Sequence, residues 1–326
     1  MRAAFGQFSE TTVASHPHPY LRFCKQYGAS EILFNTPNLP GNDGKWELKD
    51  LVKLRITVEN YGLKLAAIEN VPTNFYDHIM LNGPNRDKQI ENMIYTIRNM
   101  ARAGIPIFGY NWMPSHVWRE SYALIRGGAF ATAFDYEKAK TMPLTHEREY
   151  TEKEMWDYLE SWIKIITPIA EEEGIRLGIH PCDPPVETLG GIPQLLRSFN
   201  SYKRLIEIYP SECNAIEFCQ GTFAEMANEN IYEMIRYFGE RNKILYVHFR
   251  NVSSTVPNFR EEFVNTGYVD MYKAMKIYAE VGFNGFFIDD HVPQTFEDTS
   301  WGHRGRAFAN GYIQGLIEAV KKETTS

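Results

Sequence analysis

The strongest constraint on this chain is an alternation that runs from end to end. Short apolar runs, each cut off by proline, glycine or a polar cluster, take turns with longer runs of helical spacing. Strand-like runs fall at residues 3–8, 31–35, 65–69, 105–110, 175–179, 215–218, 244–247 and 285–289. Helical runs follow at 20–27, 47–61, 86–103, 151–173, 193–208, 223–238, 270–281 and 305–322. In the second, Leu48, Leu51, Leu54 and Val58 share one face; in the third, Ile90, Met93, Ile94, Ile97 and Met100 do. Gly62, Gly104, Gly174 and Gly282 stand where helices end, and Thr151 with Glu154 forms a capping box. A polar turn with Pro17 and Pro19 joins the first strand to the first helix. Eight strand–helix units in a chain of 326 residues match a (β/α)8 barrel, an α/β fold. A doubly wound sheet needs fewer strands and usually a Gly-rich first turn, and no G-x-G-x-x-G follows the first run. No composition shift or low-complexity linker divides residues 1–326, so one domain is expected, with an irregular insertion at 115–149 after strand four.

Composition narrows the partners. A formal charge of −7 and the lack of a basic stripe disfavour nucleic acid. No apolar run approaches the ~18 residues of a membrane span, and the first residues carry no apolar signal core. The expectation is a cytoplasmic protein, no membrane partner, and assembly as a homo-oligomer. Cys24, Cys182, Cys213 and Cys219 are too few and scattered for a disulfide framework.

The chemistry concentrates at strand ends. Ile179-His-Pro-Cys-Asp-Pro-Pro185 ends an apolar run in a histidine, and the prolines forbid continuation. Cys219, His248 and Asp290 close the next three strands in the same way. In a barrel, the carboxyl ends of the strands build the site, and neighbouring strands lie ~4.8 Å apart. Four ligand-type side chains at four successive strand ends therefore point to one metal site. A lone histidine or cysteine there would more often be a core residue. The donor set suits manganese, iron, cobalt or zinc, and Asp289 is an alternative to Asp290.

Several stretches carry a resemblance to a known family. They are Arg98-Asn-Met-Ala-Arg-Ala-Gly104, Tyr110-Asn-Trp-Met-Pro114, Ile169-Ala-Glu-Glu172, His180-Pro-Cys-Asp-Pro-Pro185, Cys219-Gln-Gly-Thr222, His248-Phe-Arg250, Gly267-Tyr-Val-Asp-Met-Tyr272 and Asp290-His291. The sequence resembles the mannonate dehydratase family, among the metal-dependent barrels related to xylose isomerase. The resemblance implies a hydro-lyase that binds Mn2+ through His180, Cys219, His248 and Asp290. It also implies dehydration of the sugar acid D-mannonate to 2-keto-3-deoxy-D-gluconate, in hexuronate breakdown. His291 is then the candidate acid/base beside Asp290, which joins it in the catalytic set. Arg250 shares a strand face with His248 and is placed to pair with a substrate carboxylate. Asn111 and Asp183, just past strand ends four and five, are candidates for binding sugar hydroxyls.

The chain also departs from the family pattern. Trp301 stands where the family has a tyrosine, four residues before Gly305-Arg306. The run after Asp290-His291 lacks a Gly-His pair, and Phe5-Gly-Gln-Phe8 replaces an Arg-Trp-Tyr-Gly start. His303 and Tyr268 are candidate substitutes for the tyrosine. These departures keep a different sugar acid, or a barrel that binds without turnover, as rival readings. A sugar isomerase or epimerase using Glu69 and Glu217 as a proton-shuttling pair is the other rival.

Overall fold

The computed structural model describes residues 1–8 and 18–324. The turn expected at Pro17 lies outside the described residues. Eight parallel strands close into a barrel: β1 (Arg2–Phe8), β2 (Glu31–Asn35), β3 (Lys64–Glu69), β4 (Ile107–Tyr110), β5 (Arg176–Ile179), β6 (Asn214–Cys219), β7 (Ile244–His248) and β8 (Phe286–Ile288). Each pairs with its neighbours in sequence, and β8 returns to β1 through Arg2–Phe286 and Ala3–Phe287. The outer ring holds α1 (Pro19–Gln26), α2 (Leu48–Glu59), α3 (Arg86–Arg102), α4 (Glu152–Glu173), α5 (Phe199–Ile208), α6 (Ile231–Glu240), α7 (Met271–Glu280) and α8 (His303–Thr324). This is the (β/α)8 barrel that the alternation predicts.

The helices form where their apolar faces repeat every third or fourth residue, and those faces are buried on the barrel. In α2 they are Leu51, Leu54 and Val58; in α3, Ile90, Met93, Ile97 and Met100. Inside the barrel, Ala4, Leu33, Ala66, Ala215, Leu245, Tyr246, Phe286 and Ile288 form a separate core contributed by strands alone. Small residues alternate there with large ones, so the interior is packed rather than hollow.

The insertion after β4 is more ordered than the sequence suggests. Residues expected to be irregular contain strands Ser121–Leu124 and Phe130–Asp135. They form an antiparallel sheet with Asn258–Glu262 and Asn251–Val252, from the segment after β7. Such pairing cannot be read from local pattern, because the two halves lie more than a hundred residues apart. The expected helix at 223–238 is two. A short helix, Gln220–Glu225, ends before α6, where Asn228 is left-handed and the Asn230 side chain caps Tyr232 and Glu233. The expected helix at 193–208 starts only at Phe199. Ser198 caps it, and Ile192–Pro193 instead pairs with Thr188–Leu189.

Candidate metal centre and active site

The four strand ends converge. The His180 amide donates to the Tyr110 carbonyl at 2.8 Å, extending the β4–β5 ladder by one residue before Pro181 stops it. Cys219 and His248 are direct partners across β6 and β7, and His248 faces Ile288 on β8. Asp290 therefore projects two residues beyond that register. The donor atoms of His180, Cys219 and His248 all lie within 4.8 Å of one another, and all three residues are buried. Asp290 Oδ2 is 3.5 Å from His248 Nδ1 and 3.9 Å from Cys219 Sγ. All four residues picked out as ligands in the sequence thus meet at one place.

Their electrostatics suit a cation. Burial alone would raise the Cys219 thiol, yet Arg250 and His180 hold it well below its ordinary value. The Thr222 hydroxyl adds a hydrogen bond to the sulfur at 3.2 Å. Burial would lower His180, but Cys219 and Glu217 raise it to about 10. Burial would raise Asp290, but His291, His248 and Arg250 keep it well below the usual carboxylate range. The two imidazoles thus sit among a thiolate and carboxylates, an environment that favours positive charge and that a divalent ion would also satisfy. The imidazoles are also oriented. His180 Nδ1 lies 2.6 Å from the Pro181 carbonyl, which leaves Nε2 for the centre. His248 Nε2 lies 2.9 Å from Glu69 Oε2, which leaves Nδ1 beside Asp290 Oδ2, at 3.5 Å. Two imidazole nitrogens, a thiolate and a carboxylate fit a divalent transition metal.

The groups expected to bind substrate are placed differently. Arg250 is buried, with all its N–H groups engaged. Nε donates to Asp290 at 3.0 Å, Nη1 to Glu225 at 2.8 Å and Glu261 at 2.9 Å, and Nη2 to Asp183 at 2.8 Å and Thr222 at 2.9 Å. Asp183 is clamped from the other side by Arg119 Nη1 at 2.7 Å. Burial opposes its ionisation, but Arg119 and Arg250 push the carboxyl far down. Neither residue has an open face toward solvent. Asn111 is half-buried; its Nδ2 donates to Asn70 at 2.9 Å, and its oxygen accepts from the Tyr76 hydroxyl at 3.3 Å. Arg119, Glu225 and Glu261 had no signal in the sequence. Arg119 and Glu261 come from the two insertions, which interlock through this network at the barrel rim.

His291 Nε2 lies 3.7 Å from Asp290 Oδ2, with the side chain 29% exposed. It lines a cavity of about 540 Å3 together with Tyr122, Phe130, Thr132 and Gln294. Trp301 packs among Phe5, Tyr20 and Phe23, with Arg306 over its ring. Its carbonyl accepts from Arg306 Nε at 2.7 Å, and Arg306 also grips Asp289, so Asp289 is spent on an ion pair beside the site. Tyr268 turns its hydroxyl to the Ala224 carbonyl, and His303 Nδ1 sits 2.5 Å from Thr299 Oγ1.

A closed parallel barrel with a buried His–Cys–His cluster and an aspartate at its carboxyl mouth is a (β/α)8 barrel carrying candidate metal-ligand groups. The model of the D-mannonate dehydratase (UxuA) family matches residues 19–148 and 142–326, and the chain belongs to that family. It is accordingly a hydro-lyase. A mannonate dehydratase of Streptococcus uberis is 33% identical over 308 residues, covering 85% of this chain and 88% of its own. Mannonate dehydratase 2 of Halalkalibacterium halodurans is 31% identical over 313 residues, covering 85% and 88%. The crystal structure of mannonate dehydratase from Streptococcus suis serotype 2 superposes with a TM-score of 0.89 at 29% identity, over 100% of this chain and 95% of that one. An L-ribulose 3-epimerase, at 14% identity and a TM-score of 0.65, shares the fold. No described helix is long and apolar enough to cross a membrane.

Proposed function

We propose that the protein dehydrates D-mannonate to 2-keto-3-deoxy-D-gluconate. We further propose that it uses a divalent metal, Mn2+ foremost, held by His180, Cys219, His248 and Asp290. The observation that carries this reading is the convergence of those four donors, with His291 between them and an open cavity. When bound, the ion supplies Lewis acidity at the substrate carboxylate or the adjacent hydroxyl. The reaction removes a proton from C2 and hydroxide from C3, together one water, and the resulting enol becomes the 2-ketone. His291 is positioned to move a proton at one of those carbons, because its ring is the acid/base group that faces the cavity. Arg250 fixes Asp290 and would meet a substrate carboxylate only by giving up one of its acidic partners. Asp183 locks Arg250 and Arg119 together, and Asn111 offers an amide to sugar hydroxyls. Arg119 and Glu261 tie the rim sheet to the network around Arg250. Tyr122, Leu124 and Phe130 leave large apolar side chains exposed on that sheet, which supports assembly with further copies. We read it as a cytoplasmic enzyme, and its place in hexuronate breakdown follows from the family.

The test is mass spectrometry after incubating Mn2+-loaded protein with D-mannonate and a panel of aldonates and uronates. Loss of one water from D-mannonate supports the reading. Loss from another acid alone moves the substrate, conserved mass indicates isomerisation, and binding without conversion indicates a binding protein.

A further inference from the structure

Glu69 ends β3 and is buried at the barrel mouth. Its two oxygens face different parts of the site. Oε2 accepts from His248 Nε2 at 2.9 Å and from the Tyr246 hydroxyl at 3.3 Å. Oε1 accepts from Asn35 Nδ2 at 2.7 Å. From there a run of amides crosses the mouth. Asn70 Nδ2 reaches Asn35 Oδ1 at 3.5 Å, and Asn111 Nδ2 donates to Asn70 Oδ1 at 2.9 Å. Asn35, Asn70 and Asn111 stand at the ends of β2, β3 and β4, opposite the ligands of β5 to β8, and each is only half-buried. Glu217 lies nearly as close to His248 Nε2, at 3.0 Å, but the contact with Glu69 is the one with hydrogen-bond geometry, so Glu69 is the aligned acceptor. β4 makes room for this arrangement. A Cβ on Gly109 would collide with the Tyr246 hydroxyl, so glycine there lets Tyr246 reach Glu69.

We propose that Glu69 is a positioning residue that couples the metal centre to a wall of amides that reads the substrate. A carboxylate accepting from Nε2–H fixes the His248 tautomer and turns the Nδ1 lone pair toward the ion. The other oxygen fixes Asn35, and through it the plane of Asn70 and Asn111. Each amide carries donors and an acceptor, the combination that a hydroxyl requires, which suits the wall to the hydroxyl-bearing carbons of a sugar acid. The proposal rests on the metal-dependent reading above.

The experiment titrates Co2+ into metal-free full-length protein against a chromophoric chelator, following the thiolate-to-cobalt absorption that Cys219 would give. Glu69→Gln should weaken Co2+ binding about 10–100-fold while keeping the saturated spectrum. Asn35→Leu should leave Co2+ affinity unchanged and raise KM for the sugar acid about tenfold, the worth of one hydrogen bond. Wild-type Co2+ affinity in Glu69→Gln overturns the proposal, as does an equal loss of affinity in Asn35→Leu, which would indicate general disruption. If circular dichroism shows Glu69→Gln unfolded, Glu69→Asp, with its carboxylate withdrawn from His248, carries the same measurement with the same expected and overturning results. Absence of a thiolate band in the wild type would instead overturn the underlying metal assignment.

Discussion

Cys219 is the proposed ligand most easily interrogated, since alanine removes the donor without adding bulk. Cys219→Ala should sharply lower bound metal per chain, read by elemental analysis after gel filtration; unchanged content would remove it from the ligand set. His291 predicts the opposite pattern. His291→Gln should keep the metal and lower kcat about 10²–10⁴-fold, the range for loss of a general acid or base. A kcat within tenfold of wild type would assign the proton transfer elsewhere. Arg250 is a structural prediction. Without it, Asp183, Glu225 and Glu261 share Arg119 and Asp290 keeps His248 and His291, so Arg250→Met should cost about 3–5 kcal/mol in urea unfolding. At this scale the sequence showed which residues were ligand-like but not where their partners were. Arg250 reads as a free substrate clamp because its four acidic partners come from other elements.

Elements whose determinants are local were legible. Thr151 and Glu154 form the capping box that their spacing implies, with both reciprocal bonds present at the start of α4. Thr151→Ala should cost about 1 kcal/mol in stability, measured by chemical denaturation. The Thr151 backbone N–H, its hydroxyl and Arg148 lower the Glu154 carboxyl to about 2, from an ordinary 4.5. Its folded value is depressed, so its contribution is present above about pH 4.5 and lost as pH falls toward about 2. Glu154→Gln should flatten the stability curve in that window; an unchanged slope would show that the cap does not hold the charge. The rim sheet was not legible, because Phe130–Asp135 finds its partner in Asn258–Glu262 only once the barrel has brought the two insertions together. The break before α6 depends on one left-handed asparagine and one capping asparagine inside a run of otherwise helical spacing.

For the molecule as a whole, metal binding and stability should be linked, because the four proposed ligands meet only in the closed barrel. A metal at about 100 times its Kd adds about 2.7 kcal/mol. Metal addition should therefore raise the thermal midpoint of the wild type by several degrees and leave that of Cys219→Ala unmoved; equal shifts in both would place the ion elsewhere. The barrel was readable from sequence alone, and so was the convergence of the four proposed ligands at its mouth. Strand period, helix period and strand-ending prolines are properties of neighbouring residues, and successive strand ends in such a barrel share one mouth. Tertiary structure alone decided which of those residues are free to act. Glu69 sits under His248 from 179 positions away, and Asp183 and Arg250 lock each other 67 positions apart. Contacts of that kind are set by strand stagger and barrel closure, which no local run of residues encodes.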